Sequence, residues 1–147
     1  IMRLLFVLLF SVALLMSCSK DEKTTIEILN AHPWKISSAV ISPGITNPAN
    51  GSVTTDLLAL AGSCLADNVY SFTIDSKYIA DEGPTKCNPS DPQQTSGTLS
   101  LSTDNKSFTA NGTVYTFQTV SENKLVYSFS ASVNGISQTV TFTMVPK

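Results

Sequence analysis

From Asn68 to the C-terminus the chain alternates apolar and hydroxyl side chains with few interruptions, and this period of two limits the folds open to it. Tyr70, Phe72 and Ile74 alternate with Ser71 and Thr73, and Leu99 and Leu101 with Thr98, Ser100 and Ser102. The same pattern joins Leu125, Tyr127, Phe129 and Ala131 to Ser128, Ser130 and Ser132, and Val140, Phe142 and Met144 to Thr139, Thr141 and Thr143. Successive side chains of a strand point to opposite faces, so each run predicts a strand with one apolar and one water-compatible face. Asn111-Gly112 and Asn134-Gly135 are strong two-residue hairpin signals between runs, and Asp104-Asn105 and Glu122-Asn123 weaker ones.

Trp34 to Ile41 adds a first strand, with Trp34, Ile36 and Val40 on one face. The pattern then predicts eight strands, at 34–41, 68–74, 77–82, 97–103, 106–110, 113–120, 124–133 and 136–145. Only 83–96, with Pro84, Pro89 and Pro92, reads as a long crossover. Serial hairpins and an even strand number favour an all-β, eight-stranded antiparallel up-and-down barrel, which leaves no exposed sheet edge. The alternative is a two-sheet β-sandwich, which wants long Greek-key returns. A membrane barrel would need aromatic girdles that this sequence lacks. Two short helices complete the reading. Thr24 with Glu27 forms a capping-box signature for 25–30, stopped by Pro33. Asp56 to Ala61, with Thr55 as N-cap and Gly62 as stop, is a short helix placed to act as a lid.

The N-terminus supplies an address. Leu4 to Met16 is an apolar run behind Arg3, too short for the roughly 20 residues of a membrane-spanning helix. Leu15-Met16-Ser17-Cys18, followed by Ser19-Lys20-Asp21-Glu22, resembles a bacterial lipoprotein processing site. That resemblance implies a signal peptide over 1–17, a lipidated tether over 18–23 with the diacylglycerol thioether on Cys18, and a single domain over 24–147. The membrane partner is then reached through the anchor at Cys18. The acidic pair after Lys20 is similar to the export tag of surface-exposed lipoproteins in some anaerobic diderm bacteria; the similarity implies an outer-membrane protein exposed at the cell surface, while a run that only solvates the tether leaves a periplasmic orientation open.

Charge and cysteine usage bound the rest. Nine basic residues stand against eleven acidic ones, and Arg3 is the sole arginine, so nothing in the domain suits nucleic acid. With Cys18 acylated, Cys64 and Cys87 remain as an even pair in an oxidising compartment. If residue i pairs with 151 minus i across Asp75-Ser76, these cysteines face each other; a three-residue turn shifts the register by one and keeps them close enough to bridge.

Trp34-Lys35-Ile36, the run from Cys64 to Phe72, the partner Cys87 and Gly97-Thr98-Leu99-Ser100-Leu101 resemble the lipocalin-like lipoproteins of anaerobic diderm bacteria. The resemblance implies an eight-stranded barrel with a disulfide and, by wider analogy, a small lipophilic ligand. Better-known lipocalins open their first strand Gly-x-Trp and stack an Arg on that Trp. Here His32 stands at the glycine position and the domain has no Arg.

Catalysis is not expected. His32 is the only histidine, and no Ser, Cys or Asp is patterned around it as a nucleophile set. Asp81, Glu82 and Asp91 lack the ligand spacing of a calcium loop, so neither a metal nor a cofactor is expected. Asn50-Gly51-Ser52, Asn105-Lys106-Ser107 and Asn111-Gly112-Thr113 fit glycosylation sequons but read more simply as turns. The inward apolar set is Trp34, Ile36, Tyr70, Phe72, Tyr78, Leu99, Leu101, Phe117, Tyr127, Phe129 and Phe142, with Phe108 and Tyr115 beside it. It either fills the core or lines a cavity, and a filled core is the simpler outcome. Two functions follow: an anchored protein binding a small lipophilic molecule, or a non-catalytic structural or interaction module of the outer-membrane surface.

Overall fold

A computed structural model describes residues 22–133 and 135–147. The expected signal peptide over 1–17 and the expected lipidation site Cys18 lie outside the described residues. The capping box forms as the sequence predicts: Thr24 and Glu27 exchange hydrogen bonds at the start of α1 (Thr25–Asn30). The elements that follow are β1 (Trp34–Thr46), β2 (Val53–Asp56), α2 (Leu57–Ala61), α3 (Ser63–Ala66), β3 (Val69–Thr73) and β4 (Lys77–Asp81). Then come β5 (Gln94–Leu101), β6 (Ser107–Ala110), β7 (Thr113–Ser121), β8 (Lys124–Val133) and β9 (Ile136–Pro146).

All nine strands share one antiparallel sheet in the order β2-β1-β3-β4-β5-β6-β7-β8-β9, and β1 also pairs with β9 from Trp34↔Pro146 to Ser42↔Thr139. That last pairing closes β1 and β3–β9 into an eight-stranded up-and-down barrel and rules out the sandwich. It is the architecture the lipocalin-like resemblance implies. The seam between β1 and β3 is narrow, with only Trp34↔Tyr70 and Lys35↔Val69 in register. Beyond it the same edge of β1 is taken by β2, and α2 and α3 pack on β1 beside the seam.

Several details differ from the sequence reading, each for a local reason. An extra residue between Ile36 and Ser38 shifts the β1–β9 register, so Ala39 and Ile41 turn inward and Val40 is 42% exposed. Past Ile41 the strand continues to Thr46 and is met by β2, where a loop was expected. Gly44 permits this approach: a Cβ there would lie 2.7 Å from the Thr54 carbonyl oxygen. The N-cap of α2 is Asp56, whose carboxylate accepts from the Ala59 N–H, and Thr55 belongs to β2. β3 and β4 pair with Val69 opposite Asp81, one step from the two-residue register, because the turn has three residues and Ser76 adopts positive φ. Ile74 consequently falls in the turn and is 84% exposed. β5 begins at Gln94 and shortens the crossover.

The core is densest at the end of the barrel where α1 lies. Trp34, Leu29, Leu125 and Met144 have no exposure there, and the Trp34 indole N–H donates to the Leu29 carbonyl at 3.0 Å. The His32 ring stands 4.3 Å from that of Trp34, and its Nε2 meets the Glu122 carbonyl at 2.8 Å in the β7–β8 turn. Lys23 pairs with the Glu122 carboxylate. This end is therefore closed by a histidine and a helix where better-known lipocalins use an arginine. At the other end the Cys64–Cys87 disulfide, with Cα atoms 4.8 Å apart, ties α3 to the crossover.

Candidate functional site

Above the Trp34 layer the interior is not filled. A partly enclosed cavity of about 240 Å³ lies inside the barrel, and all eight barrel strands contribute to its wall. β1 supplies Ile36, β3 Tyr70 and Phe72, β4 Tyr78 and Ala80, and β5 Thr95. β6 supplies Phe108 and Ala110, β7 Tyr115, β8 Tyr127 and Phe129, and β9 Phe142. Thr95 is solvent-exposed and marks the rim.

Seven residues of the inward set thus meet at one site: Ile36, Tyr70, Phe72, Tyr78, Tyr127, Phe129 and Phe142. Trp34, Leu99, Leu101 and Phe117 lie outside the lining. Trp34 and Leu99 are buried in the packed core, and Leu101 and Phe117 pack against it. The α2 leucines Leu57 and Leu58 also pack against that core, and no α2 side chain touches the cavity. The small members Ala80, Thr95 and Ala110 carry no signal that a search for bulky inward residues would detect. They matter because space is left where side chains are short.

The aromatic wall is continuous. Phe108 stacks on Tyr115 at 4.7 Å and meets Tyr127 edge-on at 5.3 Å; Tyr115 contacts Phe129 at 5.1 Å, and Tyr127 contacts Phe142 at 5.7 Å. Offset and edge-to-face pairs of this kind add to the stabilisation from burial. Gly97 is needed at its edge. A Cβ there would collide with the Asn111 amide and lie 2.6 Å from the Tyr78 ring. The Asn111 amide N–H donates to the Tyr78 hydroxyl at 2.6 Å, which leaves the Tyr78 proton free to be donated in turn.

Every tyrosine of the chain, Tyr70, Tyr78, Tyr115 and Tyr127, lines this one cavity. Burial raises the phenol pKa of Tyr70, Tyr115 and, most strongly, Tyr127, and neighbouring phenols push each of them the same way. Asn68 opposes the shift at Tyr70, and Thr113 at Tyr115. These hydroxyls stay protonated at neutral pH. No charged side chain is among the lining residues, so the cavity is apolar with uncharged donors set into it.

The other residues singled out from sequence lie elsewhere. Each His32 ring nitrogen faces a backbone carbonyl, of Glu122 or of Pro33. The Asp81 carboxylate accepts from Gln93, Gln94 and the Gly83 N–H, which clamps the crossover to β4 and lowers its pKa to about 2. Asp91 bonds Asn88 within the crossover, and no cluster of metal-ligating side chains forms among the described residues. Asn50 accepts from Ser52 in a tight turn, and Asn105 and Asn111 occupy positive-φ turn positions.

No family model matches the chain, and no curated protein does. Among solved structures it is similar to the odorant-binding protein from bovine nasal mucosa, at 12% identity and a TM-score of 0.48, over 88% of this chain and 77% of that one. It is also similar to the complex of bovine odorant-binding protein with a selenium-containing odorant, at 11% identity and a TM-score of 0.46, over 89% and 78%. The barrel itself is established by its strand pairings, above all by that of β1 with β9.

Proposed function

We propose that this chain is a lipid-anchored, non-catalytic, lipocalin-like binding protein of the outer membrane, holding one small lipophilic molecule inside its barrel. The observation that carries the reading is the cavity of about 240 Å³ with a continuous aromatic wall and no charge in its lining. An interior serving only as an interaction scaffold has no reason to leave that space, since an unfilled apolar void costs stability. The anchor rests on the Ser17-Cys18 signal and the apolar run before it.

Two experiments test the two halves. Native mass spectrometry of protein purified from its own host should show a noncovalent adduct released on unfolding, and the stripped domain should bind members of a broad lipophile panel saturably. Absence of both adduct and saturable binding refutes the binding half. For the anchor, Cys18→Ala should abolish incorporation of labelled fatty acid; labelling that persists in this variant refutes it.

A further inference from the structure

We infer that the cavity selects a compact, ring-containing molecule bearing an acceptor oxygen, held at the Tyr127 hydroxyl, and discriminates against long-chain fatty acids; this rests on the binding reading above. Three observations converge on it. The first is size. A dry apolar cavity of about 150 Å³ takes one benzene, so 240 Å³ corresponds to roughly ten heavy atoms. A one- or two-ring molecule fills that volume, while a long acyl chain overruns it.

The second is the polar inventory. A carboxylate drawn inside would find no Lys, Arg or His in the lining, and an unpaired buried charge is strongly disfavoured. A neutral carbonyl or ether oxygen has no such cost and finds donors. Tyr127 is 6% exposed, lines the cavity and makes no hydrogen bond to any described residue, so its proton lacks a protein acceptor. That hydroxyl is accessible within the partly enclosed cavity, where an acceptor oxygen on a ligand can take its proton. Tyr78, fixed by Asn111, offers a second donor. The third is shape. Phe108, Tyr115, Phe129 and Phe142 form a continuous aromatic wall around Tyr127, which suits a flat ring better than a flexible chain.

The test is isothermal titration of the disulfide-intact domain with acetophenone, with its hydrocarbon analogue cumene and with hexadecanoate, on wild type and Tyr127→Phe. Acetophenone and cumene should each bind wild type one to one, and hexadecanoate should show no saturable heat. Tyr127→Phe should weaken acetophenone about tenfold, the worth of one neutral hydrogen bond, and leave cumene within twofold. Retained cumene binding shows that the variant keeps its cavity. Equal loss of both ligands, or no loss of acetophenone, overturns the assignment of Tyr127. Hexadecanoate binding as tight as acetophenone overturns the size selection while leaving the binding reading intact. Silence from all three, with none of the broader lipophile panel bound either, removes the binding reading itself and this inference with it.

Discussion

Replacing Trp34 by phenylalanine separates the packed base of the barrel from the cavity above it. The indole has no exposure, and its N–H donates to the Leu29 carbonyl at 3.0 Å. Phenylalanine retains a ring and most of the apolar area, so the loss has two parts. Leaving the Leu29 carbonyl buried without a donor costs about 1–3 kcal/mol. The void left by the missing ring atoms adds about 1 kcal/mol at roughly 24 cal/mol per Å³. The sum is about 2–4 kcal/mol, and with a urea m-value of about 2 kcal/mol/M the unfolding midpoint should fall by about 1–2 M. Far-UV circular dichroism is the assay, because the variant has no tryptophan to follow. Acetophenone affinity should be unchanged, since Trp34 lies outside the cavity lining. A midpoint shift below about 0.3 M at constant m would show that Trp34 does not plug the base.

Other predictions are independent of that site. Reducing Cys64–Cys87, or replacing both residues by serine, should cost about 3–4 kcal/mol, because the bridge closes a loop with a sequence separation of 23; an unchanged thermal midpoint would contradict this. The folded Asp81 pKa of about 2 is depressed below its ordinary value of 3.8, so its stabilising contribution is complete above about pH 4 and is lost as pH falls towards 2. Hydrogen exchange of the crossover 82–93 should therefore accelerate over that window in the wild type. Asp81→Asn should show faster exchange at neutral pH and no acid step there; an identical acid step in both proteins would contradict the clamp. Gly97→Ala should destabilise by about 1–3 kcal/mol and displace Asn111 from Tyr78, read from the amide signals of Asn111 by NMR. Wild-type stability and an unchanged spectrum in the Gly97→Ala protein would contradict the close approach.

The barrel could be read from the sequence because alternation of Ser/Thr with apolar residues is a local signal, repeated at nearly every strand. What could not be read is where a strand changes its own phase. The extra residue that turns Ala39 and Ile41 inward and Val40 outward is set by the β1–β9 pairing, and nothing in Ile36-Ser37-Ser38 announces it. β2 was hidden for a similar reason. Val53 to Asp56 has no alternation of its own and becomes a strand only because β1 runs past Pro43 and Gly44 to meet it. The aromatic half of the cavity wall was visible as bulky inward residues. The short side chains Ala80, Ala110 and Thr95 line the same space, and which short residues meet the aromatic ones is set by strand pairing and not by any local pattern. Base closure by His32 likewise depends on the Glu122 carbonyl, ninety residues away.

NMR titration of the disulfide-intact domain with acetophenone, following aromatic side-chain signals, reads whether a small ring-containing molecule enters the space framed by Tyr127, Phe129 and Phe142. Saturable shifts are expected at Tyr127, Phe129 and Phe142, with nuclear Overhauser contacts from the ligand ring to the same three residues and a Trp34 indole N–H that does not move. Contacts confined to solvent-exposed residues, or shifts that grow linearly without saturating, would contradict binding in that space.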